Sequence, residues 1–233
     1  VVSSVAWADD LTMPSVEVRA EKLQESASSS VNSSDTASLL ENEPGVSLYR
    51  AGGVSSLPAI HGLADDRIRI KVDGMDLIAS CPNHMNPPLS YIDPTNIDNV
   101  KVYAGITPVS VGGDSIGGTI IADTKTPLFA SSDAAPLLKG EIGAFYRSNN
   151  DARGGNLAAS YATENISVNY AGAFSKANNY TAGSNFKNGK ATGRIGHTLG
   201  LDEVGSTAFE TQNHTLGFAA KSGAHLFEAK LGY

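Results

Sequence analysis

The sequence contains little cysteine and tryptophan and has no long apolar segment. One cysteine and one tryptophan occur in 233 residues, so an internal disulfide cannot form and the fold is not a disulfide scaffold. The apolar runs span only a few residues each, far short of the roughly 20 that a membrane-spanning helix needs. These absences exclude helical membrane spans but leave strands as a route through a bilayer.

Basic residues are too few to suggest nucleic acid as the main partner. The chain has 17 Lys and Arg against 24 Asp and Glu, a net charge of −7, whereas phosphate binding needs a basic surface. Hydrophobic residues make up 41% of the chain, and 24 glycines add to them. Since this is the usual content of a globular protein, collagen and wholly disordered chains are excluded.

The average composition conceals two unlike halves. All seven phenylalanines lie after residue 128, and residues 1–128 contain 16 acidic and 8 basic side chains. Residues 129–233 contain 8 acidic and 9 basic side chains. An acidic, aromatic-poor part and a near-neutral, aromatic-rich part are expected to form different structural units.

The first residues resemble the end of a secretory signal peptide. Ala6 and Ala8 stand at the spacing of a cleavage site, and two acidic residues follow them. We therefore expect residues 1–8 to be the remnant of a signal peptide, with a disordered tail as the alternative.

A strand-like stretch and a polar linker are predicted at residues 9–34. Val16 and Val18 alternate with charged residues, which is typical of a strand. This stretch precedes any domain and has no sheet of its own to join, so it suits pairing with the sheet edge of another protein. Packing on its own domain is the alternative. The serine-rich residues 26–34 are typical of a flexible linker.

Residues 35–128 are predicted to form a domain of short strands. Ser34 or Asp35 can cap a short helix that Pro44 and Gly45 end. In residues 67–74, three apolar side chains alternate with three basic ones before an Asp-Gly turn, the pattern of a half-buried strand. The glycine-rich residues 111–121 lack the ending of a phosphate loop, so they are interpreted as turns between strands.

Several motifs of this domain resemble the plug domain of TonB-dependent outer-membrane receptors. In order, they are Pro44-Gly45-Val46, Ile60-His61-Gly62-Leu63, Ile70-Lys71-Val72-Asp73-Gly74-Met75, Val100-Lys101-Val102-Tyr103-Ala104-Gly105 and Gly117-Gly118-Thr119-Ile120-Ile121. The family usually has Arg-Gly where this chain has His61-Gly62. The resemblance places the family's TonB box at Ser15, Val16, Glu17, Val18, Arg19 and Ala20, and implies that these residues contact TonB.

Residues 129–233 alternate between apolar and small polar side chains over about five stretches of roughly ten residues, which is typical of transmembrane β-strands. Two connections are tight, and one, from Lys176 to about Thr207, is long, as in outer-membrane barrels. A soluble sandwich would show the same alternation. The predicted fold is therefore mainly β: an α+β plug domain followed by the first antiparallel strands of a transmembrane β-barrel.

The family's barrels have about 22 strands, so the five predicted here would be the beginning of one. Five strands cannot close around a plug, and they would leave two unpaired edges. We expect the chain to be an N-terminal fragment of a receptor that is monomeric when complete.

The most unusual stretch for its chemistry is the proline-rich loop at residues 79–91. It holds the cysteine of the chain, Cys81, together with His84 and Met85. Thiolate and thioether are soft donors that select Cu(I), and imidazole can bind copper or zinc. Spacing of four residues can bring Cys81 and Met85 onto one side of a single helical turn. Packing of Cys81 and Met85 inside a small loop is the alternative, and His84 is the least certain ligand of the three.

The sequence Cys-Pro-Asn-x-Met-Asn-Pro-Pro also looks like the plug loop of copper-type receptors of this family. The resemblance implies that Cys81 and Met85 are the plug ligands and that a His/Met pair of the barrel, beyond Tyr233, completes the site. It implies TonB-energised uptake of copper or another soft metal, which is cargo and not a cofactor, across the outer membrane of a Gram-negative bacterium. TonB, the membrane lipid and the metal or its chelate are then the partners.

Two alternatives stay open from the sequence, and a third is disfavoured. A receptor of the same family could take a siderophore, a corrinoid or a zinc chelate, with Cys81 incidental. A soluble β-sandwich could serve in binding or adhesion. An enzyme is not expected, because Cys81 and His84 lack an orienting third group and an oxyanion site.

The remaining acidic residues and histidines are assigned no role. Asp65, Asp66, Asp73, Asp76 and Asp93 fit no calcium loop, so we interpret them as solvated turn residues.

Overall fold

A computed structural model describes residues 18–20, 33–50, 52–113, 115–190 and 198–233. The predictions for the signal-peptide remnant, for Ser15, Val16 and Glu17, and for most of the serine-rich linker lie outside the described residues. Within these ranges, none of the helices is long and apolar enough to cross a membrane.

Twelve strands form two five-stranded sheets and one two-stranded sheet in the described residues. They are β1 (Val18–Ala20), β2 (Val46–Tyr49), β3 (Leu57–Ile60), β4 (Ile68–Val72), β5 (Met75–Asp76), β6 (Ile97–Ala104), β7 (Gly118–Thr124), β8 (Leu137–Arg147), β9 (Ala152–Ala162), β10 (Ile166–Ala177), β11 (Phe209–Ser222) and β12 (His225–Gly232). Short 3-10 helices cover Thr36–Leu40, Asp65–Arg67, Pro88–Tyr91, Pro94–Asn96 and Val109–Val111.

The N-terminal unit comprises residues 18–20 and the described residues from 33 to 124, and it is built on a sheet of order β1-β6-β7-β4-β5. Strands β4 and β7 are parallel, and the other neighbours are antiparallel. As predicted, Ile68, Ile70 and Val72 of β4 point to one buried face. They join a core of large aliphatic side chains in which Leu40 and Ile120 are completely buried.

Local signals in the sequence determine the ends of these elements. Asp35 caps the first 3-10 helix by accepting a hydrogen bond from the backbone N–H of Ala37, which confirms the predicted cap. Asp73 and Gly74 have φ angles of 49° and 81°, the left-handed backbone that a two-residue hairpin turn requires. The predicted turn between β4 and β5 is therefore confirmed.

His61, where the family usually has arginine, packs against Gly45. A Cβ atom on Gly45 would lie 2.6 Å from Nε2 of His61, and Gly45 has a φ of +77°. The backbone N–H of His61 also donates to the carbonyl of Gly45 (2.8 Å). Because a side chain at residue 45 would collide with the ring, glycine is required there.

The glycine-rich stretch forms a loop and the beginning of β7, not a phosphate loop. A Cβ atom on Gly118 would lie 2.2 Å from the carbonyl oxygen of Tyr103 in β6. The close approach of β6 and β7 therefore needs glycine at this position. The interpretation of residues 111–121 as turns and strand is confirmed.

Strand β1 corrects one expectation. The stretch was expected to have no sheet of its own to join, yet Val18, Arg19 and Ala20 pair antiparallel with Val102, Lys101 and Val100 of β6. Without β1, the outer edge of β6 would present unpaired backbone N–H and C=O groups. These three residues therefore pair with their own domain, which is the alternative that the sequence left open.

The C-terminal sheet consists of β8 to β12, each hydrogen-bonded to the next in the chain. The five predicted strands are confirmed. Residues 163–165 and 223–224 are tight connections at one end of the sheet. At the other end, residues 148–151 are also a short connection, and the connection from β10 to β11 is long. The two predicted tight connections and the long one are present, but short and long connections do not strictly alternate.

The two faces of the C-terminal sheet differ in where their apolar side chains lie. The outward face carries large apolar residues, among them Leu138, Ile142 and Leu231. On the inward face, toward the N-terminal unit, the buried apolar residues are all alanine: Ala152, Ala162, Ala173, Ala177 and Ala219. In the part of the chain that the structure describes, no second sheet covers the outward face, which argues against a sandwich.

Candidate functional site

The loop of residues 77–91 is anchored at both of its ends. At the beginning, the backbone N–H of Leu77 donates to the carbonyl of Ile70 in β4 (2.9 Å). At the end, the 3-10 helix Pro88–Tyr91 buries Pro88 and Leu89 against the core. The residues between these anchors project from the N-terminal unit and carry Cys81, His84 and Met85.

Cys81 and His84 begin and end a tight turn. The backbone N–H of His84 donates to the carbonyl of Cys81 (2.9 Å), an i to i+3 bond that brings the two backbone positions close. The φ of His84 is 51°, a left-handed value with which a right-handed helix cannot continue. The predicted helical turn is therefore replaced by a β-turn.

Two soft donors flank this turn in accessible positions. Cys81 is a free cysteine of intermediate exposure, and Met85 is 62% exposed. Thiolate and thioether can each bind a soft metal ion. Cys81 and Met85 can therefore supply two ligands from one short loop to an ion that approaches from outside the N-terminal unit.

His84 turns toward another part of the N-terminal unit. Its Nε2 lies 3.7 Å from Oδ1 of Asp65, and its side chain is only 16% exposed. It lines a cavity of about 300 Å³ together with Asp65, Asp66 and Asp76. Within the described ranges, no three or more His, Cys, Asp and Glu side chains gather closely enough to hold a metal ion. A role of His84 as a ligand stays a prediction.

Tyr91 is a residue of this loop that sequence reasoning missed. Its hydroxyl lies 3.0 Å from the backbone nitrogen of Ser80 and 3.0 Å from the carbonyl oxygen of Asn86. These two residues bracket Cys81 and Met85. A tyrosine closely following two prolines was the available signal, but its partners cannot be read from spacing.

Asp76 is exposed, as interpreted from the sequence, but it lies in β5 and forms an ion pair with Arg69. Arg69 donates to both of its carboxylate oxygens, at 2.5 and 2.7 Å. This bidentate hydrogen bond, together with the positive charge of Arg69, lowers the pKa of Asp76 below its usual value. Arg69 also donates to the carbonyl of Gly112 (2.7 Å). Arg69 thereby links the beginning of the candidate loop to the glycine-rich loop.

Asp73 joins the N-terminal unit to the C-terminal sheet. It accepts hydrogen bonds from Thr124 N–H (2.9 Å) and Lys230 Nζ (2.9 Å), and Lys230 also donates to the Thr124 hydroxyl (2.7 Å). Burial alone would raise the pKa of Asp73, but the hydrogen bonds from Thr124 and Lys230 outweigh it and lower the pKa. We call these three residues the Asp73 junction.

A cavity of about 710 Å³ lies beside this junction, between the N-terminal unit and β10 to β12. Asp93 lines it and caps the helix Pro94–Asn96 by accepting from Thr95 N–H (2.9 Å). Burial raises the pKa of Asp93, and the hydrogen bonds from Thr95 offset this only in part. Asp93 is therefore a buried helix cap and not a solvated turn residue.

The topology of the N-terminal unit and the position of its loops can be compared with known proteins. Residues 10–119 match the TonB-dependent Receptor Plug Domain. The matched residues include β1 to β6, the beginning of β7, the candidate loop and most of the glycine-rich loop. No curated protein matches the chain.

Solved structures share the fold of the plug domain and of the strands that follow it. The copper transporter OprC superposes with a TM-score of 0.68 at 23% identity, over 87% of this chain and 29% of that one. The FrpB iron transporter of Neisseria meningitidis, in its F5-1 variant and apoprotein form, has a TM-score of 0.62 at 19% identity, over 84% of this chain and 29% of that one. The pyoverdine outer membrane receptor FpvA of Pseudomonas aeruginosa PAO1, bound to pyoverdine, has a TM-score of 0.58 at 14% identity, over 83% of this chain and 24% of that one.

These similarities establish the architecture. A plug domain followed by the first strands of a barrel is the predicted fold class, and it is confirmed. The chain spans 29% of the length of OprC and of FrpB. At identities of 14% to 23%, the superpositions show the fold and do not identify the substrate.

Proposed function

We propose that the full protein is an outer-membrane receptor that uses TonB to take up copper or another soft transition metal. The loop of Cys81 and Met85 receives the metal at the plug. The match of residues 10–119 to a plug domain supports TonB-dependent uptake, since plug-domain receptors of this kind interact with TonB and transport metals or chelates. The family transports its ligands and does not convert them, so we propose no enzymatic activity.

The chemistry of the loop supports the choice of metal. Cys81 and Met85 are both at least partly accessible, on one loop whose ends are anchored in the core. A thiolate with a thioether favours Cu(I) over hard cations such as Mg²⁺ or Ca²⁺. Two soft ligands leave room for further ligands, which we place on barrel residues beyond Tyr233.

The outward face of the C-terminal sheet supports the location. Exposed large apolar side chains on one face, opposite a face whose buried apolar residues are alanines, are expected of transmembrane strands with lipid on one side. Known relatives of this fold include a receptor named for the outer membrane, FpvA. We place the C-terminal sheet in the outer membrane and the plug domain inside the completed barrel.

The segment around β1 is the proposed point of contact with TonB. Val18, Arg19 and Ala20 pair with the edge of β6 by backbone hydrogen bonds. The same backbone groups can pair with an edge strand of another protein. Because one edge cannot serve both partners, β1 would have to leave β6 before it pairs with TonB.

A receptor for an iron complex is the second candidate. FrpB is an iron transporter and FpvA binds pyoverdine, and both share the fold. In this case Cys81 and Met85 would be incidental, and a large chelate would contact a wider surface of the plug domain and barrel.

Copper binding by the full-length protein separates the two candidates. The test compares Cys81→Ala and Met85→Ala with wild type, by measuring copper per purified protein after equilibration with Cu(I). We expect each substitution to weaken binding about 100-fold, since even outer-shell partners cost about 10- to 100-fold in metal affinity.

Met75→Ala is the matched control for this experiment. Met75 is also 62% exposed but lies in β5, outside the candidate loop. We expect its copper content to equal that of wild type. Unchanged copper in Cys81→Ala and Met85→Ala would contradict the metal site and favour a receptor for a chelate.

A further inference from the structure

We propose that Tyr91 is a positioning residue: its hydroxyl links residues on both sides of Cys81 and Met85 in the candidate loop (residues 77–91) and so determines where these two residues lie. This inference rests on the proposed function for its copper readout, but the loop geometry that carries it is independent of copper.

The Tyr91 hydroxyl makes three hydrogen-bond contacts across the loop. It lies 3.0 Å from the backbone nitrogen of Ser80, 3.1 Å from the Ser80 hydroxyl and 3.0 Å from the carbonyl oxygen of Asn86. A phenol has one proton to donate. The N–H of Ser80 donates to the phenol oxygen, and the single phenol proton can go to either of two acceptors, the Asn86 carbonyl or the Ser80 hydroxyl.

The two partners of Tyr91 stand immediately outside the two candidate ligands. Ser80 precedes Cys81, and Asn86 follows Met85. The phenol therefore closes the loop at its base, and the turn from Cys81 to His84, with its own hydrogen bond of 2.9 Å, forms the tip. These contacts restrict how far the two sulfur-bearing residues can move apart.

Tyr91 itself is held by the core. It ends the helix Pro88–Tyr91, in which Ser90 N–H donates to the carbonyl of Pro87 (2.8 Å) and Leu89 is buried. The next residue, Ile92, accepts a hydrogen bond from the hydroxyl of Thr36 in the first 3-10 helix. The loop is thus tied to a part of the N-terminal unit whose backbone is fixed by packing.

A closed loop base lowers the cost of binding a metal ion. An open loop must lose conformational freedom when two of its residues bind one ion, whereas a loop closed in advance has already lost it. Removing the phenol oxygen should therefore weaken copper binding without removing a ligand. We expect a loss of about tenfold, comparable with the loss of one outer-shell partner of a metal site.

The substitution Tyr91→Phe in the full-length protein tests this role. It keeps the ring and removes the hydroxyl, so the packing around the helix Pro88–Tyr91 is retained. Tyr49→Phe, a change at a similarly exposed tyrosine in β2, is the matched control. Cu(I) affinity, measured by competition with a chromophoric chelator, should fall about tenfold in Tyr91→Phe and stay unchanged in Tyr49→Phe.

A second measurement needs no copper. Alkylation of Cys81 in the metal-free protein, followed at the Cys81 peptide by mass spectrometry, reports how much the partly exposed Cys81 thiol gains in exposure when the base of the loop is released. We expect Tyr91→Phe to accelerate it several-fold with no change in the thermal unfolding midpoint, and Tyr49→Phe to leave it unchanged. A residue with a merely structural role would move the unfolding midpoint as well.

The outcomes distinguish this inference from the proposed function. If Cys81→Ala abolishes copper binding but Tyr91→Phe changes neither affinity nor alkylation, the positioning role is wrong and the metal site stands. If wild type binds no copper, the proposed function fails. Alkylation then decides alone: acceleration in Tyr91→Phe supports the role of Tyr91 in the loop, and an unchanged rate overturns it.

Discussion

The N-terminal unit and the C-terminal sheet contain the same period-two alternation of apolar residues but place them on opposite sides. In β4, Ile70 is 6% exposed and faces the core. In β8, Ile142 is 84% exposed and faces away from the N-terminal unit. The pattern alone therefore identifies a strand with one apolar face, and the surroundings of the sheet decide where that face points.

The buried residues explain this contrast. The core of the N-terminal unit is filled by Leu, Ile and Val side chains, whereas the buried apolar residues of the C-terminal sheet are alanines. Between the C-terminal sheet and the N-terminal unit lies a cavity of about 710 Å³ rather than a core of large aliphatic side chains. The large outward side chains then need an apolar environment, which the outer membrane would supply under the proposed function.

The largest effect expected from this contrast is at the core of the N-terminal unit. Ile120→Ala removes a completely buried side chain from β7, so it should cost about 2 to 5 kcal/mol, through lost transfer energy and the cavity that remains. Ile142→Ala on the outward face leaves no cavity and should cost less than about 2 kcal/mol. Urea unfolding of the full-length protein in phospholipid vesicles measures both. Equal losses would contradict the assignment of Ile120 to a packed core and of Ile142 to an exposed face.

A smaller effect is expected at the Asp73 junction, where the two regions meet. Lys230→Met removes the charged partner of Asp73. The side chain of Asp73 is 22% exposed, and that of Lys230 is 30% exposed. The loss should be about 1 kcal/mol near neutral pH, since solvent screens a partly exposed pair.

The pH dependence of this junction has a definite sign. The pKa of Asp73 is lowered in the folded protein, so its stabilising effect is complete above the unfolded-state value and disappears as the pH falls through the lower, folded-state value. Lys230→Met should therefore flatten the loss of stability in acid. Lys139→Met, a change at an exposed lysine of β8, is the control, and an equal flattening there would contradict the assignment.

The smallest effect, and one of opposite sign, is expected at Asp93 beside the cavity between the two regions. Its pKa is raised by burial, so ionisation disfavours the folded state as the pH rises through the folded-state pKa. Asp93→Asn keeps an oxygen acceptor for Thr95 and should stabilise the protein near neutral pH by less than about 1 kcal/mol. Asp98→Asn at an exposed position of β6 should have no effect. A destabilised Asp93→Asn would show that the carboxylate is needed in its charged form.

The elements that follow from local pattern were predictable from the sequence. The strand β4 is predicted by the alternation of Ile68, Ile70 and Val72, and its turn by Asp73 and Gly74. The alternation after residue 137 predicts five strands. The loop of Cys81 and Met85 stands out because a thiol and a thioether occur between prolines.

The contacts that organise the site were not predictable, because their partners are distant in the chain. Asp73 and Lys230 are separated by 157 positions, and Arg69 and Gly112 by 43. Tyr91 is near its partners in sequence, but its hydrogen bonds depend on how the loop of residues 80–86 folds back. The pairing of β1 with β6 depends in the same way on a free sheet edge that no local pattern reveals.

The direction of the apolar face of the C-terminal sheet can be measured directly. Nitroxide labels placed one at a time at residues 166–174 of β10, in the full-length protein in phospholipid vesicles, report contact with lipid through collisions with oxygen and contact with water through a nickel chelate. The outward positions are Ile166, Val168, Tyr170, Gly172 and Phe174. We predict that labels at these five positions collide often with oxygen and rarely with the nickel chelate. Labels at the positions between them should not show this preference for oxygen. High nickel accessibility at the outward positions, or no alternation, would contradict a lipid-facing sheet and with it the outer-membrane receptor.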